Sequence, residues 1–139
     1  MKASLFDRFA MPPCAAHLGW ELVDYDAAKG WARFAFTARP EFLNPAGFVQ
    51  GGFVTAMLDD TMGPTVLLAT EGRSYTVSTN INVNFVAPAR AGAFTGEGQV
   101  ISLGKTIAFI EAKLRDADGT LVATATSSAR LVPVEKLAA

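Results

Sequence analysis

The feature that most constrains the fold is a stretch at residues 52–70 whose spacing is helical but whose apolar side chains point in nearly every direction. Val54, Met57, Leu58 and Thr61 recur at intervals of three and four residues, and further apolar residues fill the other sides. A helix that is apolar on all sides is buried in a protein core. This one would be about 28 Å long. The rest of the chain must therefore form a structure that can surround one long helix.

Alternating apolar and polar residues before and after this helix predict strands. Two precede the helix, at residues 18–25 and 31–37, and four follow it, at residues 75–86, 94–103, 106–115 and 120–132. A short helix at residues 4–9, with Ser4 as its N-cap, is expected ahead of them. A sheet that covers the helix must curve, and Gly96 and Gly98 are expected to allow a bulge or a bend. These elements predict an α+β fold.

Two details of these elements carry further expectations. Pro64 lies within the helix and cannot donate a hydrogen bond to the carbonyl of Asp60, which predicts a kink. Strict alternation within residues 75–86 predicts one apolar and one polar face. The apolar face would comprise Tyr75, Val77, Thr79, Ile81, Val83 and Phe85, and the polar face Thr76, Ser78, Asn80, Asn82 and Asn84.

Composition limits the classes of protein to which the chain can belong. With 139 residues, it is expected to form a single domain over residues 1–139, in which residues 1–14 are an extension or a short helix. Half of the residues are hydrophobic, which excludes intrinsic disorder and favours a buried interface between subunits. The net charge of −1 provides no global positive field for nucleic acid or an anionic membrane. With no recognisable signal peptide or membrane-spanning run, a cytoplasmic location is expected.

Cysteine and histidine occur once each, as Cys14 and His17. This excludes an internal disulfide, a zinc site built from thiolates and any metal site with two histidines, so we expect no metal. The two residues lie three positions apart and could form a nucleophile–base pair, but no third residue that would orient the histidine is evident. We interpret them as a small buried thiol and an unrelated histidine.

Gly51 and Gly52 stand where the chain enters the helix. Glycine suits a tight entry of this kind. The same place exposes backbone N–H groups at the positive end of the helix dipole, which can bind a phosphate or a developing oxyanion. The two residues alone are compatible with either interpretation.

Asp59 and Asp60 are adjacent carboxylates in an otherwise apolar helix. Adjacent helical positions point about 100° apart, so the two side chains cannot share one environment and one of them is expected to be enclosed. An exposed carboxylate near the kink is one interpretation. The other is a general base or nucleophile whose pKa is raised by burial among apolar neighbours.

Five features of the chain belong together: NPAGFVQGG at residues 44–52, LDD at residues 58–60, Gly63, NINVNFVAPARAG at residues 80–92 and GTLVATA at residues 119–125. Taken together, they resemble the acyl-CoA thioesterases of the hotdog fold, in their phenylacetate-pathway branch. The resemblance covers roughly residues 15–132. It implies one long helix wrapped by a curved antiparallel sheet, and hydrolysis of acyl-CoA thioesters.

The resemblance implies a catalytic role for four residues. Asp59 matches the catalytic carboxylate, and Gly51 matches the residue whose backbone N–H polarises the thioester carbonyl. Asn44 matches a side chain that helps to place the attacking water or the substrate, and Ser78 matches a hydroxyl on the following strand. In the family the loop and glycine of one subunit meet the aspartate and serine of another, so a homodimer or a dimer of dimers is expected.

Gln50 departs from the family, which usually has histidine before the two glycines. Glutamine can donate and accept hydrogen bonds, but it cannot titrate near neutral pH. A positioning role for Gln50 survives this change, and Asp59 is left as the titrating catalyst. The departure also argues against a hotdog dehydratase, because that chemistry depends on the histidine of the motif.

Substrate contacts are expected from basic and apolar residues around this motif. Coenzyme A would enter only as part of the substrate, with no separate cofactor, and its phosphates would bind Arg90 and Lys105 in turns that match family positions. Gly52 would lie against the substrate. The acyl pocket would draw on Phe48 and Met62, with Phe42, Phe53 and Met57, all of which could equally be core residues.

Two other functions stay open at this stage. A hotdog protein without the usual histidine could bind acyl-CoA without hydrolysing it, because a fold does not determine a function. A purely structural oligomer is the third possibility, and it would bind no acyl-CoA at all.

Overall fold

A computed structural model describes residues 5–137 of the chain. Its helices are α1 (Pro13–His17) and α2 (Gly51–Ala69), and its strands are β1 (Glu21–Asp26), β2 (Trp31–Ala38), β3 (Ser74–Phe85), β4 (Gly92–Leu103), β5 (Ile107–Asp116) and β6 (Leu121–Pro133). Short 3-10 turns lie at Leu5–Arg8, Pro40–Phe42 and Val134–Lys136. The first of these lies within the predicted N-terminal helix, whose N-cap Ser4 is outside the described residues.

The six strands form one antiparallel sheet in the order β1-β2-β4-β5-β6-β3, with β1 and β3 at its free edges. Residues of every strand approach α2, so the sheet wraps around the helix. The buried core lies between them and includes Phe34, Phe36, Met57, Leu58 and Ile110. The predicted α+β fold, with one long helix enclosed by a curved sheet, is confirmed.

The region before the sheet differs from the prediction. Residues 18–20, which the pattern assigns to the first strand, follow a short helix, α1, that the sequence analysis misses. Pro13 is the available signal, because proline is favoured in the first turn of a helix. Gly19 then turns the chain with a φ of 67°. Cys14, expected to be buried, is exposed on α1.

Gly96 and Gly98 mark a close approach between strand and helix, and the expectation of a bulge at these positions is wrong. The register shift in β4 lies between Val100 and Ser102 instead. A side chain on Gly96 or Gly98 would collide with the hydroxyl of Thr61 or Thr65, respectively, on α2. Both threonines are fully buried, and each donates a hydrogen bond of 2.7 Å to the carbonyl four residues earlier. The two glycines therefore let α2 lie directly on β4.

Pro64 does not interrupt α2, which continues from Gly51 to Ala69. The proline leaves the carbonyl of Asp60 without its helical donor. Trp20, just ahead of β1, replaces that donor: its indole Nε1 donates to the Asp60 oxygen at 3.0 Å. The N-terminal part of the chain therefore holds the middle of the helix.

A bulge at Thr79 changes the predicted faces of β3. Ser78 pairs with Ala129 and the next paired residue, Asn80, with Ser128, so Thr79 is an extra residue. Because Ala129 is buried against the helix, Ser78 lies on the inner face, together with Ile81 beyond the bulge. The prediction of a single polar face containing Ser78 and all three asparagines is therefore wrong: the asparagines lie on the outer face.

Candidate active site

The loop that leads into α2 is shaped by Asn44. The Asn44 Oδ1 accepts hydrogen bonds from the backbone N–H of Ala46, at 2.9 Å, and of Phe48, at 3.2 Å. The Asn44 N–H donates to the carbonyl of Phe48 at 2.7 Å. The amide oxygen is thus used within the loop. The Nδ2 group has no hydrogen-bond partner among residues 5–137 and is the part of Asn44 that can reach a substrate.

The N-terminus of α2 presents unpaired N–H groups. The Gln50 N–H donates to the carbonyl of Phe42 at 2.8 Å, and the Gln50 carbonyl accepts the first helical hydrogen bonds. The N–H groups of Gly51 and Gly52 have no acceptor within the described part of the chain. Such groups at the positive end of a helix stabilise an oxyanion. The side chain of Gln50 is exposed and caps nothing in the helix.

Gly51 and Gly52 are glycines for different reasons, and neither has a positive φ. A methyl group on the Cα of Gly51 would lie 3.2 Å from Cζ and 3.3 Å from Cε1 of Phe85, the last residue of β3. The Phe85 ring therefore packs against the peptide that carries the candidate oxyanion donor. A methyl group on Gly52 would have nothing within 4 Å, so packing in the single chain does not require glycine there.

The segment after β3 runs beside the same loop. The Val49 N–H donates to the carbonyl of Ala89 at 2.7 Å, and the guanidinium of Arg90 lies over the ring of Phe48, 5.2 Å from its centroid. A cation is thereby held near the helix N-terminus. We use the term glycine half-site for the group made of Asn44, Phe48, Gln50, Gly51, Gly52, Phe85 and Arg90.

Asp59 lies on α2 beside the free edge of β3. Its Oδ1 accepts a hydrogen bond of 3.3 Å from the hydroxyl of Ser78. Partial desolvation raises the pKa of Asp59, and the Ser78 hydrogen bond opposes the rise. The expected direction of the pKa shift is confirmed, but the expected enclosure is not found in the single chain, where Asp59 is exposed. The reason is that β3 ends the sheet, so no further strand covers this side.

Asp60 points to a different environment, as adjacent helical positions require. Its Oδ2 is buried without a hydrogen-bond partner. Desolvation, followed by the nearby charge of Asp59, raises the pKa of Asp60 to about 6. Asp60 is thus the more enclosed of the two carboxylates, on the flank of α2 that Trp20 contacts.

Lys105 lies in the turn between β4 and β5, with β6 between it and the start of β3, and far from Arg90. The carbonyl of Thr106 accepts a hydrogen bond from Leu131, which pairs with Thr76 near the start of β3. Arg90 instead follows the end of β3, roughly 25 Å away along the strand. We use the term aspartate half-site for the pair Asp59 and Ser78.

The two half-sites cannot meet within one chain. Gly51 and Asp59 are eight residues apart on one continuous helix, which separates them by about 12 Å along its axis. A thioester carbonyl bound at one is out of reach of the other. Two surface clefts, of about 360 Å³ near His17 and about 420 Å³ on the outer face near Trp31, contain no residue of either half-site.

Most of the apolar residues expected in an acyl pocket belong to the closed core. Met62 is 1% exposed, and Phe42 and Met57 are equally inaccessible. An acyl group cannot reach Met62 in this structure, so the alternative interpretation of these residues as core is supported. Phe48 and Phe53 are half-buried. Sequence reasoning instead misses Phe85, whose only signal is its place on an apolar strand face.

The Cys14–His17 pair finds no support in the structure. The His17 ring is contacted by the guanidinium of Arg39 and lies 5.1 Å from the ring of Phe42. Within residues 5–137 no three His, Cys, Asp or Glu side chains come together as a metal site would require. No helix in the same range is long and apolar enough to span a bilayer.

Comparisons with known proteins agree with the expected family. The model of the thioesterase superfamily matches residues 46–123. Human acyl-coenzyme A thioesterase 13 is 33% identical over 99 residues, which cover 70% of each chain. The structure of a phenylacetic acid degradation-related protein from Ralstonia eutropha JMP134 superposes with a TM-score of 0.83 at 34% identity, covering 88% of this chain and 92% of that one. A Streptococcus mutans protein bound to acetyl CoA has a TM-score of 0.72 at 19% identity, covering 82% of this chain and 89% of that one.

Proposed function

Because this chain belongs to the thioesterase superfamily and has its hotdog fold, we propose that it hydrolyses acyl-CoA thioesters in an active site shared by two copies of the chain. The products are a free acid and coenzyme A, and no separate cofactor takes part. The observation that carries the proposal is the division of the site. Unpaired N–H groups lie at Gly51 and a carboxylate lies at Asp59, on one helix but too far apart to act on one carbonyl.

The free edge of β3 supplies a way to bring the half-sites together. β3 has twelve residues and contains no Asp, Glu, Lys or Arg. A long uncharged edge strand is a surface on which another strand pairs. Antiparallel pairing of two β3 strands about a two-fold axis near Asn82 would place Phe85 of one copy beside Thr79 of the other. Gly51 packs on Phe85, and Asp59 is bonded to Ser78, so the two half-sites would become neighbours.

The same two-fold axis would bring the basic residue of the glycine half-site towards the second copy. Arg90 follows the end of β3, so pairing brings Arg90 of one copy towards the start of β3 in the other. Lys105 lies in the turn between β4 and β5, with β6 between it and β3, so this pairing does not by itself place Lys105 beside Arg90. Arg90 is therefore the better supported of the two candidate ligands for the phosphates of coenzyme A.

The chemistry follows from the two half-sites. The carbonyl oxygen of the thioester would accept a hydrogen bond from the N–H of Gly51. One such donor typically contributes roughly 3–4 kcal/mol of transition-state stabilisation. Asp59 would take a proton from water as the water oxygen bonds to the acyl carbon, the C–S bond breaks and the thiolate leaves. Alternatively, Asp59 would attack the acyl carbon directly, the C–S bond would break and the thiolate leave, and water would then hydrolyse the resulting anhydride. Ser78 would hold the carboxylate in place, and the exposed Gln50 would contribute a neutral hydrogen bond.

The deciding experiment measures release of free thiol from a panel of aromatic, short-chain and medium-chain acyl-CoAs. Asp59→Asn should lower kcat by 10²- to 10⁴-fold and retain binding of coenzyme A esters, because it removes the base but keeps the shape. Asp60→Asn is the matched control and should retain turnover. If the wild type releases no thiol from any ester yet binds them, the chain is a non-catalytic binding protein and the proposal fails.

A further inference from the structure

Gly63 belongs to the features that carry the family resemblance, yet the proposed chemistry gives it no role. It lies inside α2 and its φ is not positive, so its backbone conformation does not require glycine. Glycine in the interior of a helix lowers stability relative to alanine. The reason for glycine at this position must therefore lie in what surrounds it.

The surroundings of Gly63 continue those of Asp59. Four residues of helix rise about 6 Å, so Gly63 lies one turn after Asp59 on the same flank of α2. Thr76 and Ser78 share the inner face of β3, because their register is regular, and they are about 7 Å apart along the strand. These two separations match, so Asp59–Ser78 and Gly63–Thr76 are successive contacts between the helix and the strand.

The contact at Gly63 is close, and the hydrogen bond one turn before it has no length to spare. A methyl group on the Cα of Gly63 would lie 3.2 Å from the hydroxyl oxygen of Thr76. The Ser78 hydroxyl donates to Oδ1 of Asp59 at 3.3 Å, which is long for a hydrogen bond between two oxygen atoms. A side chain at residue 63 that pushed β3 away from α2 would therefore lengthen or break this hydrogen bond.

We infer that Gly63 is a positioning residue: because it has no side chain, it holds α2 close enough to β3 for Ser78 to bond Asp59. The inference rests on the proposed function, in which Ser78 holds the carboxylate in place. It adds a residue that touches neither the substrate nor the reacting atoms. It depends only on contacts within one chain.

Pro64 offers a different reason for glycine at residue 63. A side chain on the residue before a proline is disfavoured in a helix, because it clashes with the proline ring. In that case Gly63 would relieve strain within α2 and have no bearing on Ser78. The two reasons predict different rescuing changes: removal of the Thr76 hydroxyl if Gly63 sets the distance to β3, and removal of the proline ring if it relieves strain.

The test measures kcat and KM for thiol release in the wild type, Gly63→Ala, Thr76→Ala and the double variant. Gly63→Ala should lower kcat by about 3- to 10-fold with little change in KM, because a small displacement alters the catalytic geometry more than substrate binding. Thr76→Ala alone should retain turnover, and adding it to Gly63→Ala should restore kcat by making room for the methyl group. Pro64→Ala in place of Thr76→Ala should give no recovery.

Ser78→Ala shows whether the effect passes through the hydrogen bond. Gly63→Ala should cause no further loss of kcat in a chain that already lacks the Ser78 hydroxyl. A full additional loss in that background would overturn the inference. So would an unchanged kcat in Gly63→Ala, or recovery with Pro64→Ala but not with Thr76→Ala.

A titration of the Asp59 carboxyl carbon by NMR separates this inference from hydrolysis. Partial desolvation raises the pKa of Asp59 and the Ser78 hydrogen bond lowers it, while Asp60 is the adjacent titratable group and β3 carries no charged residue. Gly63→Ala should therefore move the midpoint of the Asp59 titration upwards, towards that of Ser78→Ala, and Thr76→Ala should move it back.

The resonance of Asp59 is identified by its loss in Asp59→Asn. A shifted and rescued midpoint in a protein whose wild type releases no thiol would refute hydrolysis while supporting the role of Gly63. A midpoint that Gly63→Ala leaves in place would overturn that role, whether or not the wild type is active.

Discussion

The two free edges of the sheet are built in opposite ways. β1 is six residues long, carries Glu21, Asp24 and Asp26, and is interrupted by a register shift at Val23. Short length, charge and bulges are the features by which proteins prevent an edge strand from pairing with another chain. β3 also contains a bulge, at Thr79, but it is twice as long and has no charged residue. The sheet is therefore protected at β1 and left open to pairing at β3.

The flanks of α2 follow the same division. The flank towards β3 carries Gly51 and Asp59, whose polar groups are exposed or only weakly bonded. The flank towards the start of β1 carries Asp60, whose carbonyl is held by Trp20 and whose Oδ2 is buried. Under the proposed shared site, the β3 side needs a second copy of the chain, whereas on the β1 side Trp20 of the same chain already bonds the Asp60 carbonyl.

The sharpest test of this division is complementation between two inactive variants. Asp59→Asn removes the carboxylate, and Gly51→Val places a side chain against the Phe85 ring, where Gly51 has none. In a homodimer, each change alone should disable both shared sites. A mixed dimer regains one intact site, formed by Gly51 of the first variant and Asp59 of the second. Random exchange makes half of the dimers mixed, so mixing should restore about a quarter of wild-type activity from nearly none.

The activity is measured as thiol release after the two variants are unfolded together and refolded. Each variant refolded alone is the control. Its thermal unfolding verifies that it is folded, and analytical ultracentrifugation verifies that it forms dimers. If the mixed, folded dimers released no more thiol than each variant alone, each site would be built from one chain. The difference between the two edges of the sheet would then have no role in activity.

A second test places charge on the open edge. With the two-fold axis near Asn82, the two copies of this residue lie opposite each other on the outer face. Asn82→Asp should raise the dimer dissociation constant by about 10- to 100-fold, because two carboxylates roughly 5 Å apart repel each other. Mixing Asn82→Asp with Asn82→Lys should restore association. Val23→Asp on β1 is the matched control and should leave the dissociation constant, measured by analytical ultracentrifugation, unchanged.

A third test uses the pH dependence of stability on the β1 flank. The pKa of Asp60 is about 6 in the folded chain, against an ordinary value of 3.8, so the folded state holds this proton more tightly. The free energy of unfolding therefore falls as pH rises from 3.8 to about 6, and the loss persists at higher pH. Asp60→Asn should stabilise the protein at pH 7 by about 1–2 kcal/mol, allowing for partial exposure of the side chain, and leave stability at pH 4 nearly unchanged.

Denaturant unfolding at the two pH values provides the measurement. If Asp60→Asn changed the free energy of unfolding equally at pH 4 and pH 7, the effect would come from packing rather than from ionisation. Asp59→Asn is the companion variant. It should lower kcat as stated above but stabilise the protein less than Asp60→Asn does, because Asp59 is the more exposed carboxylate.

The sequence predicts the strong periodic elements and misses the contacts between them. The long helix and all six strands follow from apolar spacing, because burial dictates that spacing directly, although the first strand begins three residues later than predicted. The bulge at Thr79 leaves no such mark, since threonine continues the alternation that the bulge breaks. The contact of Phe85 with Gly51 joins residues 34 positions apart and depends on how β3 lies on α2. The resemblance supplies the candidate catalytic residues, and only the structure divides them into two half-sites.

The smallest expected effect concerns the hydrogen bond that completes the β1 flank. Trp20→Phe keeps an aromatic ring but removes the indole N–H, which leaves the Asp60 carbonyl without a donor because residue 64 is proline. The expected loss is about 1 kcal/mol of unfolding free energy. Pro64→Ala restores a backbone N–H four residues after Asp60, so the same Trp20→Phe change in that background should cost less. A double-mutant cycle measured by denaturant unfolding gives this difference directly. Equal costs in the two backgrounds would mean that Trp20 acts through its ring alone, and that the proline is tolerated without help from the β1 side.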